Sequence, residues 1–183
     1  MMCECPLLKK SKSGNGMADL SQEDAFHLRA AEGWLELGLP IDAFAEIKGI
    51  SESNRQHPAV LMILWRLHSH SQQWRKCVEI ADELVQLEPN EASSWIHRSY
   101  ALHELKRTKE AADLLEPALA RFPNEELIPY NLACYACQLG KLNEAKALLV
   151  LAFRRGNAKE IKQRALEDSD LVPLREYLSS LEV

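Results

Sequence analysis

The chain has 183 residues, 46% of them apolar and 27% charged, with 27 acidic against 22 basic side chains and a net charge of −5. This is the balance of an ordinary globular protein, long enough to bury a continuous core without disulfides. Acids and bases are intermixed and no basic stripe stands out, which argues against nucleic acid as the main partner.

Residues 1–20 read as a flexible N-terminal tail, polar and marked by Lys9, Lys10 and Lys12 among serines and glycines. The opening residues lack the apolar run of about 7 or more that a signal peptide needs. Met17 offers an alternative start. No stretch approaches the roughly 18 apolar residues of a membrane span. Five cysteines (Cys3, Cys5, Cys77, Cys134, Cys137) make an odd, scattered set, which points to a reducing cytoplasm rather than a disulfide framework.

Order is expected from Ser21, a helix-capping residue three positions before Asp24. Four windows of 34 residues follow, 24–57, 58–91, 92–125 and 126–159. Each has an apolar-periodic first half, a break and an apolar-periodic second half. The breaks align in a column of Gly38, Gln72, Lys106 and Gly140. Glycine suits a helix C-terminus because it accepts positive φ, and Pro40 suits a first helical turn. His57-Pro58, Glu88-Pro89-Asn90 and Phe122-Pro123-Asn124 separate the windows. Two further columns run at the same spacing: Ala31, Trp65, Ser99, Ala133, and Ala43, Cys77, Ala111, Ala145. Small residues there let paired helices approach closely, and Trp65 departs from that rule. Pro117 falls inside the sixth expected helix, where it predicts a kink. The fold class is therefore all-α, with eight helices in antiparallel pairs.

With these residues in view, the chain resembles the tetratricopeptide-repeat family. The family's pattern falls on Trp95, Leu102, Ala111, Ala118 and Pro123 in the third window. In the fourth it falls on Tyr130-Asn131-Leu132-Ala133, Leu139-Gly140, Asn143-Glu144-Ala145 and Ala152. The resemblance implies a right-handed α-solenoid of four helix pairs over 21–159. Residues 160–183 would supply the capping helices that close such an array. It also implies that first helices line a concave face through fixed positions. Carried over, these include Leu28, Met62, Ile96 and Tyr130 in one column, Glu32, Arg66, Tyr100 and Cys134 in another, and Leu35 and His103 in a third, with Leu127 at the second position of its window.

The expected function is that of a non-enzymatic protein-interaction module, taking a peptide or protein segment in a partly apolar groove. A small cytoplasmic chaperone of the secretion or assembly type, or a homo-oligomeric scaffold, is the alternative. The carboxylate clamp of some family members does not carry over, because Leu28, Glu32, Ile63, Ser93 and His97 stand at its places. Cys134-x-x-Cys137 lies mid-helix, where no helix dipole activates a thiol, and fewer than four zinc ligands can be gathered around it. His68-x-His70 does not converge on one metal in a helix, and His103-Glu104 lacks a second histidine at metalloprotease spacing. No catalytic constellation, metal site, cofactor or membrane contact is expected.

Overall fold

A computed structural model describes residues 20–182. Most of the expected tail, with Cys3, Cys5 and Met17, lies outside the described residues. The described chain is helical with no strand, and it divides into two compact units, residues 20–94 and 95–182.

In the first unit α1 (Gln22–Glu36), α2 (Pro40–Gly49), α3 (Pro58–His70) and α4 (Trp74–Leu87) follow one another across short turns. Ser21 caps α1 by accepting from the Asp24 amide at 3.1 Å. Pro40 and Pro58 occupy first-turn positions, where a missing N–H costs nothing. Helices α1 and α2 pack as one antiparallel pair and α3 and α4 as another. Between α1, α2 and α3 lies a core of Leu28, Ala31, Ala43, Ile47, Ile50, Val60, Ile63 and Leu67.

Asp24 does more than stand in a first turn. Its carboxylate accepts from the Ser51 amide at 2.8 Å, from Ser51 Oγ at 2.6 Å and from Asn54 Nδ2 at 2.6 Å. This pins the start of α1 to the 3₁₀ turn Glu52–Asn54 that follows α2. These donors, led by Ser51, hold the Asp24 carboxyl well below its ordinary value of 3.8. A carboxyl depressed on folding stabilises above its unfolded value, and the benefit is lost as pH falls toward the folded value. The Asp24→Asn chain is therefore expected to be less stable near neutral pH, with the deficit closing as pH drops below 4. Denaturant unfolding of both chains from about pH 7 to about pH 2 checks this. A deficit that stayed constant with pH would remove the carboxylate from the account.

The second unit holds α5 (Ala92–Glu104, which contains the division point), α6 (Thr108–Leu115), α7 (Ala118–Arg121), α8 (Leu127–Gln138), α9 (Leu142–Arg155), α10 (Ala158–Glu167) and α11 (Arg175–Ser180). A 3₁₀ segment, Ser169–Leu174, joins the last two. Where a kink at Pro117 is expected, the structure shows an interruption of two residues, Glu116 and Pro117, between α6 and α7. Pro117 keeps helical dihedrals (φ −59°, ψ −24°), but it has no N–H to give, and its ring crowds the preceding turn. Arg155 at the end of α9 ties this region together, donating to the Leu119, Phe122 and Glu125 carbonyls at 3.1–3.3 Å.

Helix α8 is buried from Ile128 through Cys137, because α6, α9 and the 3₁₀ segment cover different sides of it. The small columns sit where the helices meet, with Ala31, Ser99, Ala133, Ala43, Cys77, Ala111 and Ala145 all fully buried. Trp65 is buried too, despite its size, and Cys77 Sγ lies 3.7 Å from its carbonyl oxygen.

All four members of the break column are left-handed: Gly38 at φ 72°, Gln72 at 55°, Lys106 at 63° and Gly140 at 76°. Each follows the first helix of a pair, where the αL turn redirects the chain. A side chain there costs roughly 1 kcal/mol. Lys106→Gly is therefore expected to stabilise by about 0.5 kcal/mol after the added unfolded-state entropy, whereas Gly140→Ala destabilises by about 1 kcal/mol. Thermal melts that moved in the same direction for both would refute this.

Candidate functional site

The residues expected to line a groove divide into two groups once their surroundings are known. In residues 20–94, Leu28 is core, packed with Ala31, Ile47 and Ile63. Leu35 is half-buried at the edge of that core, and Met62 on α3 is half-buried as well. Glu32 on α1 and Arg66 on α3 face each other, Arg66 Nη1 lying 3.7 Å from Glu32 Oε1. The pair is partly exposed, at 39% for Glu32 and 19% for Arg66, so its contribution to stability is small. Glu32 and Leu35 stand on α1, and Met62 and Arg66 on α3.

In residues 95–182 the equivalent places are already filled. Ile96, His103, Tyr130 and Cys134 are all buried, while Tyr100 and Leu127 remain half-buried. For Tyr130, Cys134 and His103 the cover includes the chain's own segment after α10. Tyr130 Oη donates to Asp168 Oδ2 at 2.8 Å, and Cys134 Sγ approaches the same oxygen at 3.7 Å. Gln138 Nε2 donates to the Asp170 carbonyl at 2.9 Å. Asp168 Oδ1 in turn accepts from the Asp170 amide at 2.9 Å, fixing the turn. His103, on α5, sits between α6 and this segment, with Nδ1 3.0 Å from Thr108 Oγ1 and Nε2 3.0 Å from Asp170 Oδ2. The Tyr135 ring lies 4.9 Å away, and its hydroxyl donates to Ser99 Oγ at 3.1 Å.

The sequence reading missed this role of Asp168 and Asp170, which look like an interruption in the last apolar stripe. One signal could have found them: two carboxylates in a cap, one or two windows downstream of Tyr130 and His103, are the natural partners for buried donors.

Burial favours the protonated thiol at two of the cysteines. It pushes the Cys77 thiol up to about 12, and it raises Cys137 as well, with Asp170 and Asp168 adding to the effect. Thiols held in the protonated form are poor nucleophiles and poor metal ligands. Tyr130 is likewise raised by burial, with the Cys134 thiol and the Asp168 carboxylate adding to it, and so it serves as a hydrogen-bond donor. Among the described residues no three His, Cys, Asp or Glu side chains gather into a metal-holding group, and no helix is long and apolar enough to cross a membrane.

No protein-family model matches the chain, and no curated protein matches it. Solved structures do. The chain is similar to MamA 41-end from Desulfovibrio magneticus RS-1, with 16% identity over 87% of this chain and 93% of that one, at a TM-score of 0.67. It is also similar to TTC0263, a thermophilic TPR protein in Thermus thermophilus, with 18% identity over 85% and 95%, at a TM-score of 0.66. YrrB, described as a TPR protein with an unusual peptide-binding site, aligns at 11% identity over 85% and 91%, with a TM-score of 0.60.

Proposed function

We propose, from the premise that the chain has the tetratricopeptide-repeat fold these likenesses show, that it is a protein-interaction module which seats polypeptide on the faces of its first helices. One observation carries the reading: α8 already holds a turn of polypeptide through Tyr130, Cys134 and Gln138. Such positions, repeated along the array, offer seats of the same kind to a segment supplied by a partner.

In residues 20–94 the accessible members are Leu35, Met62, Glu32 and Arg66. Leu35 and Met62 supply apolar contact, and methionine adapts its shape to different anchors. Glu32 and Arg66 set the orientation of the bound segment. Tyr100 and Leu127 are the accessible candidates in residues 95–182. Leu28, Ile96, Tyr130, His103 and Cys134 hold the structure that presents these residues.

The test is capture of partners from the source cell by the intact chain, compared with the Met62→Asp, Arg66→Glu double variant. Capture is expected to fall at least about tenfold with helicity unchanged, since central anchors dominate such contacts. Undiminished capture by a folded variant refutes the assignment. Alanine at Tyr130 is not a usable probe, because it removes a core side chain.

A further inference from the structure

A second surface in residues 20–94 shares no lining residue with Glu32, Leu35, Met62 and Arg66. The side of α2, the end of α3 and the first turn of α4 line an open cleft of about 470 Å³. Ile41 stands at its edge 83% exposed, and Phe44 forms part of its wall. Phe44 meets the His68 ring edge-on at 5.9 Å, and Lys48 Nζ sits 5.8 Å from the Phe44 centroid. His68 Nδ1 lies 2.8 Å from Gln73 Oε1, which fixes the imidazole against α4.

Three observations select the chemistry of an occupant. Both charged residues lining the cleft, Lys48 and Lys76, are basic, and no carboxylate lines it, in a chain whose net charge is −5. The first turn of α4 carries no acidic residue, so the positive end of that helix dipole adds to the field of Lys76. Leu37 and Leu39, both exposed in the α1–α2 turn, extend the apolar surface beside Ile41. A nucleic acid would meet two lysines and an apolar wall, too little charge for phosphate binding.

We propose that this cleft is a docking site for an acidic, apolar-anchored segment of a partner protein: one aliphatic or aromatic side chain entering beside Ile41 and Phe44, with flanking carboxylates on Lys48 and Lys76. Charge complementarity draws the segment in, and the apolar anchor holds it. The Phe44 ring is already fixed by His68 and Lys48, so the wall needs little reordering on binding.

The probe is a short labelled peptide with Leu-Phe at its centre and Asp or Glu on either side, followed by fluorescence anisotropy with the full chain. Two control peptides carry Ser-Ser in place of Leu-Phe, or Lys in place of the acids. The acidic apolar peptide is expected to bind at least about tenfold tighter than either control, and to weaken with added salt. Ile41→Asp and the Lys48→Glu, Lys76→Glu pair should each reduce binding about tenfold or more, with circular dichroism unchanged. All three positions are exposed, so folding is not at stake. Met62→Asp with Arg66→Glu should leave peptide binding intact, which separates this site from the first-helix face. Equal binding of the lysine peptide, absence of binding to the intact chain, or loss only in the Met62, Arg66 variant would overturn the proposal. So would a dimer, seen by light scattering, that Ile41→Asp dissociates and the peptide does not displace, because the occupant would then be a second copy of the chain.

Discussion

Trp65→Ala is expected to destabilise residues 20–94 by about 3–5 kcal/mol, although it makes the sequence more regular. Trp65 occupies a column otherwise held by Ala31, Ser99 and Ala133. Viewed as a pattern, alanine restores the repeat. Viewed as packing, it empties the largest fully buried side chain among the described residues. The helices around it are built to that volume: Cys77 is fully buried opposite it, and Ile63 and Leu67 of the same helix are held in the core beneath α1 and α2. A close-packed interior relaxes only partly around a deletion, so the cavity adds its own cost to the lost transfer free energy. Urea unfolding of the intact chain and the variant measures the difference. A loss below about 1 kcal/mol would mean that the surrounding helices close over the vacancy.

Leu171→Ala is expected to cost about 2–5 kcal/mol and, more tellingly, to uncover α8. Leu171 is fully buried at the centre of the 3₁₀ segment that lies along α8, with Leu174 and Leu178 buried on either side of the following turn. Weakening that anchor by about 3 kcal/mol raises the population in which the segment has lifted away by roughly a hundredfold. Cys134 and Cys137 report the opening directly, since both thiols lie beneath it. In a background carrying Cys3→Ser and Cys5→Ser, their reaction with a disulfide reagent should accelerate by about that factor, while Cys77 in the other unit keeps its rate. Unchanged thiol reactivity alongside a real loss of stability would show that the segment anchors the unit without guarding α8.

These expectations rest on contacts of different legibility. The break column was readable because a helix pair must turn at the same place each time, and a fixed period records that need. What the period hid was that Gln72 and Lys106 adopt the left-handed backbone that Gly38 and Gly140 adopt freely. Backbone direction at a turn is set by the helices on either side, and a polar side chain tolerates it at modest cost. Pro117 was readable as a disturbance. Whether the helix bends or stops depends on how the following turn is held, here by Arg155 reaching the Leu119 and Phe122 carbonyls. The candidate site was legible by position and not by state. Met62 and Tyr130 stand in the same column of the repeat, yet one is half-exposed and the other is covered. The cleft beside Ile41 and Phe44 lies outside every column singled out for binding, because its residues come from the second helix of one pair and the ends of another.

The array of paired helices, the places where it turns and the small residues between helices are all legible in the chain's own pattern. All of that follows from local periodicity and from the steric demands of glycine, proline and alanine. Which first-helix positions are surface and which are core is a matter of packing: for Tyr130 and His103 it is set by Asp168 and Asp170, far along the chain. A side chain's own helical phase tells where it points, but what arrives to cover it is settled by long-range packing that no local pattern encodes.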